Sequence, residues 1–267
     1  MLCRRGKRVS GMWKTALLVM VGCGTATLSQ AHAADMTARQ VTRLLFTSPA
    51  GSTPNLSNKD LSGLDLSGLD FKKAKLNGVN FYGTDLTGAN LSGASLKAAR
   101  LDRATLIGTN LSGADLSGAS LLRPNVFEDM KPTTRSGLSF AGARLVGANL
   151  NGRFDGVNFS RADLSSAVFG PRDPREEVLI TPMMSLAAAN FGGAKLVGAN
   201  LSRNSLENAN FTDADLTHAN LRGARLGGAN FSGAILDGVD MTGAALSSAN
   251  LQTARDLDSA IGLSTTP

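Results

Sequence analysis

Nucleophilic catalysis needs a base beside the nucleophile, most often a histidine, and this 267-residue sequence contains two, His32 and His218. It has no CxxC pair, no HExxH and no GxxxxGK[ST] phosphate loop. Asp60, Asp65 and Asp70 suggest a carboxylate cluster. Their five-residue spacing, however, turns them onto three successive faces, so they do not converge on one ion. Asp65 and Asp85 are 20 residues apart and better placed to stack as a pair that takes a cation. Triplets such as Asn90-Leu91-Ser92 and Asn230-Phe231-Ser232 have the Asn-x-Ser form of a glycosylation acceptor. They are by-products of the same spacing and poor evidence of modification. The expectation is a protein with no catalytic residue, no cofactor and no metal, and not an enzyme.

The elements that would have to position any chemistry begin after residue 33. Arg4, Arg5, Lys7, Arg8 and Lys14 accompany a mostly apolar stretch from Ala16 to Leu28, and Ala31-His32-Ala33 offers small residues at the positions a signal peptidase reads. Residues 1–33 therefore read as a secretory signal, too short for a membrane span, cut near Ala33 to leave a periplasmic or secreted product. A twin-arginine reading of Arg4-Arg5 fails because Gly6-Lys7-Arg8 follows where apolar residues are needed. A lipoprotein site at Cys23 is the minor alternative, since only Thr15 to Gly22 would precede it as an apolar run.

Removing this segment takes the net charge from +6 to +1, with 22 basic and 21 acidic residues left. Both cysteines (Cys3 and Cys23), Trp13 and His32 leave with it, so the remainder has one histidine, His218, and one tyrosine, Tyr82. An exported chain without thiols relies on packing and hydrogen bonds rather than disulfides. A nearly neutral one carries no electrostatic signature of nucleic-acid binding.

Beyond residue 55 one pattern dominates. Leu or Phe recurs every five residues from Leu56 to Leu121, with Val126 continuing the series, again in Phe140, Leu145 and Leu150, after a one-residue slip in Phe154, Phe159, Leu164 and Phe169, and then from Phe191 to Leu251. That makes 35 units. Two positions before the large residue stands a small one, as in Ala89, Ala94, Ala194 and Ala214. A period of five matches neither 3.6 nor 2. It keeps one face inward only if the chain turns about 90° per unit, so that four units close a square of 20 residues. Phe191, Phe211 and Phe231 fall 20 apart, and Asn190, Asn210, Asn230 and Asn250 precede that column. These columns read as structural: a core that includes Leu91, Leu116 and the three phenylalanines, and an amide ladder bonded along its length.

Units such as Ala89-Asn90-Leu91-Ser92-Gly93, Ala114-Asp115-Leu116-Ser117-Gly118 and Ala229-Asn230-Phe231-Ser232-Gly233 resemble the A-(D/N)-L-x-x pattern of pentapeptide-repeat proteins. The resemblance covers most of residues 55–251. It implies an all-β fold, a right-handed quadrilateral β-helix whose coils stack about 4.8 Å apart. It also implies the possibility of an end-to-end homodimer, as in other family members.

A β-helix has open edges that need covering. Asp35 is positioned to N-cap a helix over 36–46, with Met36, Val41, Leu44 and Leu45 near one face. Residues 34–54 thus read as a short N-terminal capping helix and linker, and 252–267 as a C-terminal cap and tail. Two insertions interrupt the repeat, at 127–137 and 170–188. The second holds the candidate interaction residues Arg172, Arg175, Glu176, Glu177, Met183 and Met184, since loops on a rigid scaffold are favourable recognition sites. The function that emerges is a non-catalytic exported scaffold for an unidentified periplasmic or envelope protein. The alternative implied by the family is a DNA-mimicking protector of type II topoisomerase. It calls for a strongly acidic surface and a cytosolic location, and both the net charge and the export signal argue against it.

Overall fold

The chain divides into two compact units, Met1–His32 and Ala33–Pro267. The computed structural model describes residues 34–49, 51–71, 73–127, 137–170 and 184–263, all in the second unit. The expected signal segment lies outside them, as do Arg172, Arg175, Glu176, Glu177 and Met183. No helix among the described residues is long and apolar enough to cross a membrane.

Large apolar residues every fifth position can all be buried only if the backbone turns a corner after each, and it does. The second unit is a right-handed quadrilateral β-helix with four sides, numbered here in chain order from the one opened by Leu56. Each large residue points inward, and the residue before it bridges in parallel to the coil above, as in Asn55↔Lys75, Lys75↔Ser95 and Asn190↔Asn210. A side contributes so few residues before its corner that continuous strands are rare. The longest form one parallel sheet of β1 (Ser120–Leu122), β2 (Asn149–Asn151) and β3 (Val168–Phe169). Leu91, Leu116, Phe191, Phe211 and Phe231 are each fully buried.

The coil runs in register across both insertions. The 20-residue step becomes 29 at Asn110↔Ser139, 19 at Ser139↔Asn158 and 32 at Asn158↔Asn190, then returns to 20. Repeat residues also begin earlier than the 170–188 boundary implies. Met184 is buried in the small-residue position, Ser185 bridges to Arg153, and Leu186 fills an inward site. With Leu186 included, 36 described residues occupy inward positions, nine on each side. Met184 is therefore a core residue: its Sδ accepts a hydrogen bond from the Gly152 N–H at 3.2 Å, and it offers nothing to a partner.

Asn and Asp recur before the inward residue because they build the corner. The Oδ1 of Asn80, Asn90, Asn190 and Asn210 accepts from the backbone N–H two residues on, closing an Asx turn at 3.0–3.1 Å. The amide nitrogen is left free to reach the adjacent coil: Asn210 Nδ2 donates to Asn190 Oδ1 at 3.0 Å and Asn250 Nδ2 to Asn230 Oδ1 at 3.2 Å. Between them Asn230 Nδ2 donates to Thr212 Oγ1 at 3.1 Å, so one rung of the ladder is a hydroxyl.

The small position is set by the width of the square. Where it is polar, the side chain finds a carbonyl: Thr84 Oγ1 donates to Leu61 O and Thr109 Oγ1 to Leu86 O, both at 2.8 Å, and Asn204 Nδ2 to Phe169 O at 3.0 Å. Ala214, fully buried between coils, has no such slack. Ala214→Leu is expected to overpack the channel and destabilise the protein by about 1–3 kcal/mol. Unchanged thermal melting would contradict this packing.

Corners follow a second rule. The corner residue takes a left-handed conformation, and a long side chain there lies beneath the same corner of the next coil, which at the following positions is glycine. Lys73 lies below Gly93, Arg161 below Gly193, Arg203 below Gly223 and His218 below Gly238. A Cβ at Gly93, Gly193 or Gly223 would come within 3.4–3.6 Å of the stem beneath it.

The N-terminal end carries α1 (Ala38–Thr47), which buries Val41 and Leu45 and packs Met36 and Leu44 against the core. Its cap is Thr37, not Asp35. Thr37 Oγ1 accepts from the Gln40 N–H at 3.3 Å while Gln40 Oε1 accepts from the Thr37 N–H at 2.7 Å, a reciprocal capping box. Asp35 instead extends the first coil's edge, its N–H donating to Asp60 O and its Oδ2 accepting from Asp60 N–H. At the other end a 3-10 turn, Leu257–Ser259, folds beside the last coil, and Ile261 bridges to Asp240.

Candidate interaction site at the loop roots

The first insertion leaves after Phe127, at the end of the third side on the fourth coil. The second returns at Met184, at the start of the third side on the sixth coil. Both roots therefore border one side, with the fifth coil between them. There Arg153 and Asp155 form an ion pair at 3.1 Å. The Arg153 guanidinium lies 4.9 Å from the Phe127 ring centroid, reaching across the first root. Asp155 Oδ1 accepts from Ser185 Oγ and, at 3.0 Å, from the Ala187 N–H, reaching across the second.

The same arrangement recurs on the second side. Arg100 lies 4.7 Å from the Tyr82 centroid and its Nε donates to Asp102 Oδ2 at 2.7 Å. Asp102 Oδ1 accepts from Ser120 Oγ at 2.6 Å and from the Leu122 N–H at 3.0 Å. Each clasp ties three successive coils through an aromatic residue, an Arg-x-Asp and a serine. The second-side clasp keeps the 20-residue spacing, whereas the insertions hide it in the first, where Asp155 and Ala187 stand 32 apart.

None of this is catalytic geometry. His218 is exposed at a corner, and no group of three His, Cys, Asp or Glu residues that could hold a metal occurs among the described residues. Asp65 and Asp85 do pair across neighbouring coils, but each spends its Oδ1 on its own Asx turn, to Ser67 at 3.1 Å and Thr87 at 2.9 Å. A shallow groove of about 600 Å³ runs over the fourth side between Arg161 and Asp213, floored by Gly192 and Gly193. Its amides already bond to one another, so it is a wet polar surface rather than a reactive pocket.

Four acids of the coil surface titrate low. The Thr242 hydroxyl, then its N–H, then Arg222 hold Asp240 down at about 2, and the Ser67 hydroxyl and N–H lower Asp65. Burial works to raise Asp115 and Glu207, yet hydrogen bonds from Ser117 and Lys97, and from Ser205 and Arg225, leave both lowered. A depressed folded-state pKa contributes stability above the unfolded value and loses it as the pH falls toward the folded one. Thermal stability is therefore expected to hold from neutrality to about pH 4 and to decline between about pH 4 and 2, less steeply in Asp240→Asn. Melting temperatures that rise on acidification through that window would contradict these hydrogen bonds.

The family description "Pentapeptide repeats" matches the chain in eight copies, over residues 55–93, 84–121, 136–170, 185–223 and 214–253. Among solved structures, HetL, a pentapeptide repeat protein involved in heterocyst differentiation regulation from Nostoc sp. strain PCC 7120, is 28% identical. That match covers 84% of this chain and 96% of that one, with a TM-score of 0.40. A pentapeptide repeat protein from the Arabidopsis thaliana thylakoid lumen is also 28% identical, over 47% of this chain and 72% of that one, with a TM-score of 0.26. QnrB1, a plasmid-mediated fluoroquinolone resistance protein, is 20% identical over 78% and 84% of the two chains, with a TM-score of 0.32. No curated protein matches significantly.

Proposed function

We propose that this chain, which belongs to the pentapeptide-repeat family, is a non-catalytic exported scaffold that binds another protein through the side bordered by its two insertions. One observation carries the reading: the coil resumes its register after each insertion, and a clasp pins both roots. A stiff platform thus presents two loops within two coils of each other, where recognition is favoured. The basic, apolar and small-residue order of residues 1–33 supports export, so the partner is a periplasmic or envelope protein. The last coil leaves Leu246 and Leu251 only partly covered and Ile261 56% exposed, which favours an end-to-end homodimer through that end; light scattering reports it directly.

The test begins with the processed protein, whose N-terminus is expected at Ala34. Capture from the periplasmic fraction should then recover a partner that is lost when residues 171–183 are deleted. The deletion stops short of Met184 because the coil resumes there. A retained leader, or capture unaffected by the deletion, would overturn the proposal. The topoisomerase alternative faces a surface of alternating sign, with Asp115, Arg144, Asp163, Lys195 and Asp215 in succession up the first side. Stoichiometric protection of gyrase supercoiling would restore it.

A further inference from the structure

We propose that Arg100 and Arg103, which share the Tyr82 ring on the second side, and Arg123, on the coil above Arg103, form a binding site for a phosphate-type dianion. One corner departs from the glycine rule. Among the described residues a long corner side chain has glycine on the corner above it, except at Arg103, where the next coil places Arg123. Two arginines thus occupy the same corner of adjacent coils, both left-handed, with φ of 56° and 52°. Neither preference nor charge favours this: the left-handed region disfavours a Cβ, and like charges on neighbouring strands repel.

The surroundings raise the positive charge rather than relieve it. Arg103 turns back toward Tyr82, its guanidinium 5.9 Å from the ring centroid, on the ring already shared with Arg100 at 4.7 Å. The one acid paired with them among the described residues, Asp102, is 8% exposed and spent on Ser120 Oγ, the Leu122 N–H and Arg100 Nε. Arg100 keeps both terminal nitrogens for another acceptor. The guanidinium groups of Arg103 and Arg123 have no hydrogen-bonding or ionic partner among the described residues, and both residues are exposed. Three guanidinium groups against one carboxylate leave a charge of two, and the planar forks suit the oxygens of a tetrahedral anion. The coil fixes the spacing in advance, so binding orders little besides the side chains.

The chain's single tyrosine is a ready reporter. Full-length protein carrying isotope-labelled tyrosine would be titrated with inorganic phosphate and with methyl phosphate, against chloride at equal ionic strength. Both phosphates are expected to shift the Tyr82 ring resonances saturably. Arg103→Gln and Arg123→Gln should each weaken the response about tenfold or more. Arg123→Gly should abolish the response and melt no lower than the parent without phosphate, because glycine suits that corner. A merely structural arginine would lower the melting point instead. Equal shifts with chloride, unaltered titration in the variants, or adsorption to phosphatidic acid vesicles with no response to either soluble phosphate would overturn the site.

Discussion

Phe191→Ala is expected to lower the stability of the protein by about 3–5 kcal/mol. The ring is fully buried, 5.2 Å from Phe159 below and 5.0 Å from Phe211 above, both nearly parallel, and 6.2 Å edge-on from Phe169. Truncation leaves a ring-sized void in a channel that cannot narrow, because the bridges on either side fix the coil spacing. It also removes three aromatic contacts, each worth about 0.5–1.5 kcal/mol beyond burial. Phe231→Ala provides the internal scale, because its ring is stacked on one neighbour, Phe211, at 4.9 Å. Urea denaturation should show the larger loss at Phe191. In a solenoid, whose coils are stabilised by their neighbours, it should also show a broader transition as the two halves uncouple. Equal midpoints for the two variants would mean that the phenyl column is not the spine of the fold.

Asp155→Ala is the second large effect, expected to be about 2–3 kcal/mol. The carboxylate is mostly shielded, and its loss strands the Ser185 hydroxyl, the Ala187 N–H and the Arg153 guanidinium together. Half-satisfied groups are costlier than none, which is why Asp155 and Arg153 removed together should be less damaging than the sum of the two single changes. The signature is local: hydrogen exchange at 184–188 should accelerate in Asp155→Ala while the coils around Leu91 keep their protection. Uniform acceleration along the chain would show that the clasp stabilises the fold globally without pinning the second loop's root.

Much of this architecture is written in the spacing. The inward Leu and Phe residues are legible because each pentad repeats the same instruction, and the Phe191, Phe211, Phe231 column because its members stand 20 apart. Phe140 and Phe159 extend that column into five stacked rings, yet steps of 19 and 32 residues conceal them. Leu186 escapes the pattern although it stands five residues before Phe191, because Met184 replaces the usual alanine. Thr37 and Gln40 carry a capping-box signal that Asp35, the more familiar cap residue, obscures. The Asx turns explain why the repeat wants Asn or Asp, a reason visible only once the corner's N–H is seen to point at the side chain.

The sequence by itself determined the square coil, its inward residues and its small-residue positions, since a local rule repeated every five residues forces the chain to bend the same way each time. Only the tertiary structure decided which residues meet across coils: the clasps of Arg100 with Asp102 and Arg153 with Asp155, and the crowding of Arg103 beneath Arg123. The Arg153 clasp depends on how many residues the insertions and the one-residue slip add to a turn, while the Arg100 clasp and the arginine pair stand 20 apart and depend on where the side chains turn. Stacking makes neighbours of residues on different coils, and no single pentad records what lies above or below it.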